Sequence, residues 1–232
     1  MIVLLVLGID TSGKNASVAL MSEEKMLAQY FVETQKTHSQ VILPLCEKML
    51  GDLGKTVKDV DRFAIAAGPG SYTGLRIGIS AIKALAFGLD KECSGVSTLE
   101  SIAYNFIGCD KTVCTVMKAR LDIVYCAVYR TSGNEVTEVM GDCMMKMSEL
   151  IEKLKAMKTP VVAAGDAAAA LAEEAADPDI TLAPAHLRMQ LASGICMCAM
   201  NKKGQSPYEL NAVYMQITKA EKDLLEKENQ NN

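Results

Sequence analysis

Leu7-Gly8-Ile9-Asp10-Thr11-Ser12-Gly13 closes a near-continuous aliphatic run over residues 2–10 and turns it into a polar loop. A run of this kind suits a central strand buried on both faces, with small polar residues making the turn after it. Residues 16–21 then read as a strand, Ser22-Glu23-Glu24-Lys25 turns the chain, and residues 26–32 continue extended. The chain therefore opens on a three-stranded meander rather than a strand–helix–strand unit. Thr37 begins a helix on which Val41, Ile42, Leu45, Met49 and Leu50 recur at helical spacing until Gly51. Residues 61–67 return as a buried strand, a Gly-rich turn leads into a helix over 74–89, and another helix covers 98–107.

The rhythm then repeats. Residues 111–118, 123–129 and 134–140 read as a second meander, followed by helical (148–157), extended (160–164) and helical (167–175) segments and a helix around 184–200. Laid over each other without a gap, Leu7-Gly8-Ile9-Asp10 falls on Thr115-Val116-Met117-Lys118, residues 16–20 fall on 124–128, and the turn 22–25 falls on 130–133. This points to an α/β protein of two similar halves, each a mixed sheet with an antiparallel meander flanked by helices. The expected units are residues 1–108 and a reduced second half, 109–218. The charged tail over 219–232 lacks apolar content and is expected to be disordered.

Composition narrows the function. Of 232 residues, 50% are hydrophobic and 22% charged, enough for a sizeable core. The net charge of -4 and the scarcity of Arg (5 against 19 Lys) argue against a surface built to grip nucleic acid alone. Eight Cys in no zinc-ligand spacing, with only His38 and His186, make a metal site improbable and suit reduced thiols in the cytoplasm. The apolar start has no basic n-region and meets Asp10 too early for a signal peptide or a membrane span.

A second string, Gly68-Pro69-Gly70-Ser71-Tyr72-Thr73-Gly74-Leu75-Arg76-Ile77-Gly78, follows the third core strand. Together with Leu7-Gly8-Ile9-Asp10-Thr11-Ser12, in this order and separation, it resembles the TsaB (YeaZ) family, the accessory subunit of bacterial tRNA N6-threonylcarbamoyladenosine synthesis. The resemblance is dense in the first half and loose in the second. It implies the actin, sugar kinase and Hsp70 superfamily fold, two ribonuclease-H-like halves. In catalytic relatives an acidic turn in each half straddles nucleotide phosphates and a metal, because a hard cation is held by carboxylates facing across a cleft. Here the second turn reads Met117-Lys118-Ala119-Arg120, where the family usually has Asp-Ala-Arg. The His-x-x-x-His motif of the catalytic paralogue is reduced to the single His38, and the family's closing Pro-x-Tyr-Leu-Arg signature ends here on Gln216.

Asp10, Thr11 and Ser12 are thus read as a vestigial phosphate turn, with no catalytic residue and no metal. The string at Gly68 admits two readings. It is either a backbone cradle for an anion or a tight connection in which Gly allows close approach and Ser71 or Thr73 caps the helix. On the helix after it, small residues recur at Gly74 and Gly78 and at Ser80, Ala84 and Gly88, with bulky aliphatics between. That helix is either sandwiched within its own domain or joins the Val41–Leu50 segment in a helix-bundle interface, the surface that the family uses for its homodimer and for its catalytic partner. Candidate interface residues are Val41, Leu45, Gly74, Arg76, Gly78, Ile82 and Leu85. Arg76 and Arg120 also read as structural ion pairs.

The resemblance implies a non-catalytic partner in t6A modification, working with the paralogous catalytic threonylcarbamoyltransferase and an ATPase subunit and touching tRNA only indirectly. It implies no cofactor of the chain's own, though it leaves room for weak ATP or ADP binding at a subunit interface. A free-standing actin-superfamily ATPase or phosphotransferase is the alternative, with a glycoprotease-like peptidase behind it. The first needs a metal partner for Asp10, and the second a triad or His-rich motif that is missing.

Overall fold

A computed structural model describes residues 3–215; Gln216 and the tail over 219–232 lie outside the described residues. The opening meander is β1 (Leu5–Asp10), β2 (Asn15–Ser22) and β3 (Met26–Glu33). It is followed by α1 (His38–Asp52), β4 (Arg62–Gly68), α2 (Tyr72–Gly88) and β5 (Glu92–Ser97). These strands form one sheet in the order β3-β2-β1-β4-β5, antiparallel across the meander and parallel from β1 through β4 to β5. After α3 (Thr98–Ala103) the path repeats as β6 (Thr112–Arg120), β7 (Ile123–Ser132), β8 (Glu135–Lys146), α4 (Met147–Ala156), β9 (Val161–Ala164), α5 (Ala168–Ala175) and β10 (Ile180–Leu182). The second sheet has the matching order β10-β9-β6-β7-β8. Its reduction lies in the length of its parallel strands, four residues in β9 and three in β10.

Strand parity explains the layers. Leu7 and Ile9 of β1 point to the face covered by α1 and α2, where they join Ile42, Met49, Leu75 and Ile82. Cys114 and Val116 of β6 point to the face of α4 and α5, with Leu150, Leu154 and Leu171. The opposite faces look inward. The first packs on α7 (Ala192–Met200), through Val6, Ala64 and Ala66 against Ile195, Cys196 and Ala199. The second packs on α3, through Val113 and Met117 against Leu99, Ile102 and Ala103. Helices α3 and α7 pack on each other, so the last described helix belongs to the inner layer of the first sheet. Gly8 makes this possible: a Cβ there would meet Cys196 Sγ at 2.6 Å and Ala192 O at 2.7 Å.

Three expectations are corrected. The gapless overlay is out of register, because a slip of one residue reverses every side chain. Parity puts Asp10 on the same side as Met117 and Ala119, and Lys118 on the other. Strands β5 and β10 escape sequence reading: Glu92-Cys93-Ser94-Gly95-Val96-Ser97 has little β propensity. It is a strand because β4 offers a free edge and Gly95 leaves room for Leu210, whose Cδ1 would lie 2.8 Å from a Cβ there. The helix around 184–200 is two, α6 (Ala185–Arg188) and α7, broken at Met189-Gln190-Leu191. There side chains take the carbonyls that a continuous helix would bond. Asn105 Nδ2 donates to Leu187 O and Met189 O, each at 3.0 Å, and Asn15 Nδ2 donates to Gln190 O at 3.0 Å.

Candidate functional site

The turn after β1 and the turn at the end of β6 face each other across a cleft of about 490 Å³. Its walls include Ser12, Gly13 and Lys14 from the first half and Lys118, Ala119, Arg120 and Asp166 from the second, with Tyr72 and Tyr214 on its rim. Of the three vestigial-turn residues, only Ser12 lines it. Asp10 and Thr11 are both 0% exposed.

Asp10 is held by its own turn. Its Oδ1 accepts Ser12 N at 2.8 Å and Ser12 Oγ at 2.6 Å, while Oδ2 is buried with no partner. Burial raises its pKa to about 6, against the pull of the Ser12 hydrogen bonds and of nearby His38. His38 caps the same loop, with Nε2 2.9 Å from Gly13 O, so it is a tether of α1 rather than a solvated side chain. Thr11 Oγ1 donates to Gly74 O at 2.7 Å. Gly70 and Gly74 bring α2 against the backbone of Ser12 and Thr11, and a Cβ on Gly70 would lie 2.6 Å from Ser12 O. Ser71 caps the helix, accepting Gly74 N at 3.2 Å. The Gly68 string is therefore built as a close-packed connection that seals the acidic turn.

The other side of the cleft carries charge of the wrong sign for a metal. Lys118 and Arg120 are exposed, and Asp166 is engaged by Lys118 N, which donates to its Oδ1 at 2.8 Å; burial holds the Asp166 carboxyl above its ordinary range. Among the described residues, no three His, Cys, Asp or Glu side chains come together as a ligand set. A metal–nucleotide centre of the actin type does not fit these residues, because its first carboxylate is walled in and the facing turn is cationic.

The helix-face candidates divide. Gly74, Gly78 and Ile82 are buried by the chain itself: Gly78 lies against Thr11 Oγ1 and Ile65, so this stripe faces inward and is not available to another protein. Val41, Leu45 and Leu85 are half-buried, and Arg76 is exposed. The outward stripe of α2 is Arg76, Ser80, Ala84 and Gly88, ending beside Phe87. Phe87 is 60% exposed and meets the ring of Tyr208 edge-on at 5.3 Å. Between α1, α2 and the chain after α1 runs an apolar groove of about 620 Å³, lined by Leu43, Pro44, Glu47, Leu50 and Leu85. Arg76 makes no carboxylate pair among the described residues. It stacks 4.0 Å above the Tyr72 ring, and its Nε donates to Tyr214 Oη at 3.0 Å. The rim residues Lys14, Tyr72 and Tyr214 were not singled out from sequence; Lys14 directly follows the acidic turn, whereas Tyr214 arrives only by tertiary return.

Comparison with known proteins bears on this arrangement. A family model described as TsaD, tRNA N6-adenosine threonylcarbamoyltransferase, matches residues 31–228. The tRNA threonylcarbamoyladenosine biosynthesis protein TsaB of Bacillus subtilis is 34% identical over 160 residues, covering 69% of this chain and 70% of that one. The chain belongs to the TsaB (YeaZ) family. The structure of YeaZ from Pseudomonas aeruginosa superposes with a TM-score of 0.76 at 24% identity, over 91% of this chain and 99% of that one, and shows the same fold. A ROK hexokinase from Thermus thermophilus matches with a TM-score of 0.50 at 11% identity, over 86% of this chain and all of that one, so this TsaB-family chain shares its fold. No described helix of it is long and apolar enough to cross a membrane.

Proposed function

We propose that this chain is a non-catalytic partner subunit in tRNA threonylcarbamoyladenosine modification, acting in the cytoplasm. It docks the paralogous catalytic threonylcarbamoyltransferase through the outer face of α1 and α2, and an ATPase subunit joins the assembly. In isolation the same face pairs two copies as a homodimer, and tRNA is touched only indirectly. The chain brings no cofactor of its own; any ATP or ADP is held weakly, where this chain meets another subunit. The observation that carries this reading is the sealed Asp10 turn opposite a cationic one, which leaves the cleft without facing carboxylates. The exposed groove between α1 and α2, with Leu43 46% exposed at its edge, supports the choice of docking face.

The test is size-exclusion with light scattering, on the chain alone and mixed with the catalytic paralogue. A homodimer that exchanges for a heterodimer is expected, and Leu43→Asp should abolish both while leaving the melting temperature unchanged. Heterodimer formation unaffected by Leu43→Asp would remove α1 from the interface. Absence of any complex, with tRNA modification intact after depletion of this protein, would overturn the reading.

A further inference from the structure

We propose that Cys126 and Cys143 form a dithiol site that hydrogen peroxide oxidises to a cross-strand disulfide. The two residues are direct partners on the antiparallel strands β7 and β8, with their sulfurs 3.6 Å apart. Opposed residues of an antiparallel pair have Cα atoms ~4.5–5.5 Å apart, inside the ~4.4–6.8 Å that a disulfide spans, so the bond needs side-chain rotation rather than strand movement. The strand beside the pair has room to adjust. Register slips between Cys126 and Val128, whose partners are Cys143 and Met140, leaving an additional residue of β8 around Gly141 and Asp142.

The two thiols are not equivalent. Cys143 is partly exposed, whereas Cys126 is buried. Burial holds the Cys143 thiol above its ordinary range, against the hydrogen bond with Cys126 and the charge of Lys153 on α4, so partial exposure is what distinguishes it. Cys143 is therefore the sulfur that peroxide reaches, and Cys126 is the one that resolves it. In the first step Cys143 sulfur attacks one peroxide oxygen and the O–O bond breaks. The product is a sulfenic acid, and the thiol proton leaves with the departing oxygen as water. In the second, Cys126 sulfur attacks the sulfenic sulfur, the S–S bond forms as S–O breaks, and the Cys126 proton leaves in a second water. Two thiols are oxidised and one peroxide is reduced. The third thiol of this face, Cys114, belongs to the same cluster but is fully buried.

The consequence is local to β8. Asp142, the neighbour of Cys143, accepts Ser97 Oγ at 2.5 Å and Tyr129 Oη at 2.9 Å, tying β8 to the start of α3. A bond at the next residue fixes the strand that carries this tie between the halves.

The test uses the full chain, reduced, freed of reductant and exposed to hydrogen peroxide, then alkylated and mapped by peptide mass spectrometry. The expected product is a Cys126–Cys143 linked peptide pair, lighter by two hydrogens and released by dithiothreitol. It should also form in Cys109→Ser, which removes the exposed thiol. The oxidised wild-type protein should melt at a higher temperature than the reduced one. Cys143 recovered as a free thiol while Cys109 is oxidised would overturn the proposal, as would a link from Cys126 to Cys114. Mapping the wild-type chain decides this even if Cys143→Ser does not fold.

Discussion

The turn after β1 and the turn after β6 occupy like places in two sheets of the same strand order, yet they are opposite environments. The first is covered by the long helix α2, whose glycines let it touch the backbone of Thr11 and Ser12; Asp10, Thr11 and Ser12 are 0, 0 and 1% exposed. The second faces water, with Lys118 and Arg120 exposed and Leu121 at 95%. Topology repeats the path of the backbone, while the length and surface of the helix beside each turn decide whether a carboxylate there is a ligand or a buried strut. In this molecule the first turn seals its carboxylate, and the exposed carboxylate of the second, Asp122, does not line the cleft.

The comparison breaks most sharply at Gly74. Its Cβ position is occupied by the carbonyl of Thr11, which cannot move aside as a side chain can. Gly74→Val should lower unfolding free energy by at least ~3 kcal/mol, read from urea denaturation. A loss under ~1 kcal/mol would mean that α2 does not press on the turn as described.

The next effect is set by pH. The pKa of Asp10 is raised to about 6 in the folded state, so folding favours its protonated form. Its contribution is present below the carboxylate's ordinary range and is lost as pH rises through about 6. Asp10→Asn removes this dependence while keeping an acceptor for Ser12. The variant should gain on the wild type between pH 4 and pH 7 by up to ~3 kcal/mol, measured as the difference of the two unfolding curves. A difference that does not change with pH would show that a counter-charge reaches Asp10 Oδ2.

In the open turn the sign of a glycine substitution reverses. Leu121 has φ +57° and an exposed side chain, so Leu121→Gly should stabilise by up to ~1 kcal/mol in the same assay. Last comes an expected null. Lys118→Asp restores an acid to the second turn, yet Asp10 stays walled in, so no ATP turnover should appear in a phosphate-release assay. Turnover gained by this single change would show that the burial of Asp10 does not keep the cleft from hydrolysing ATP.

Much of the fold is legible locally. The aliphatic run into Asp10, the small and apolar run of β2 and the helical spacing of Val41, Ile42, Leu45 and Met49 are each written within one element, and α1 and α2 fall within two residues of their expected starts. What is not legible depends on partners distant in sequence. Strand β5 exists because β4 has an edge to pair and because Leu210 fills the space beside Gly95. The break between α6 and α7 depends on Asn15 and Asn105, far earlier in the chain. The overlay of the halves failed by one residue, since low identity leaves register open while side-chain parity is decided by which helix covers which face. The interface candidates failed in part for a related reason: both small-residue stripes of α2 look alike in sequence, and only packing shows that Gly74 and Gly78 face β1 while Ser80, Ala84 and Gly88 face out.

The sequence by itself determined the duplicated meander and the helix that follows the Gly-Pro-Gly string, because periodicity and residue type act within a few neighbours. Only the tertiary structure decided that Asp10 is sealed, that Arg76 stacks on Tyr72 and donates to Tyr214, and that Cys126 meets Cys143. Those outcomes rest on contacts between segments tens of residues apart, where burial and distance, rather than residue type, set the chemistry.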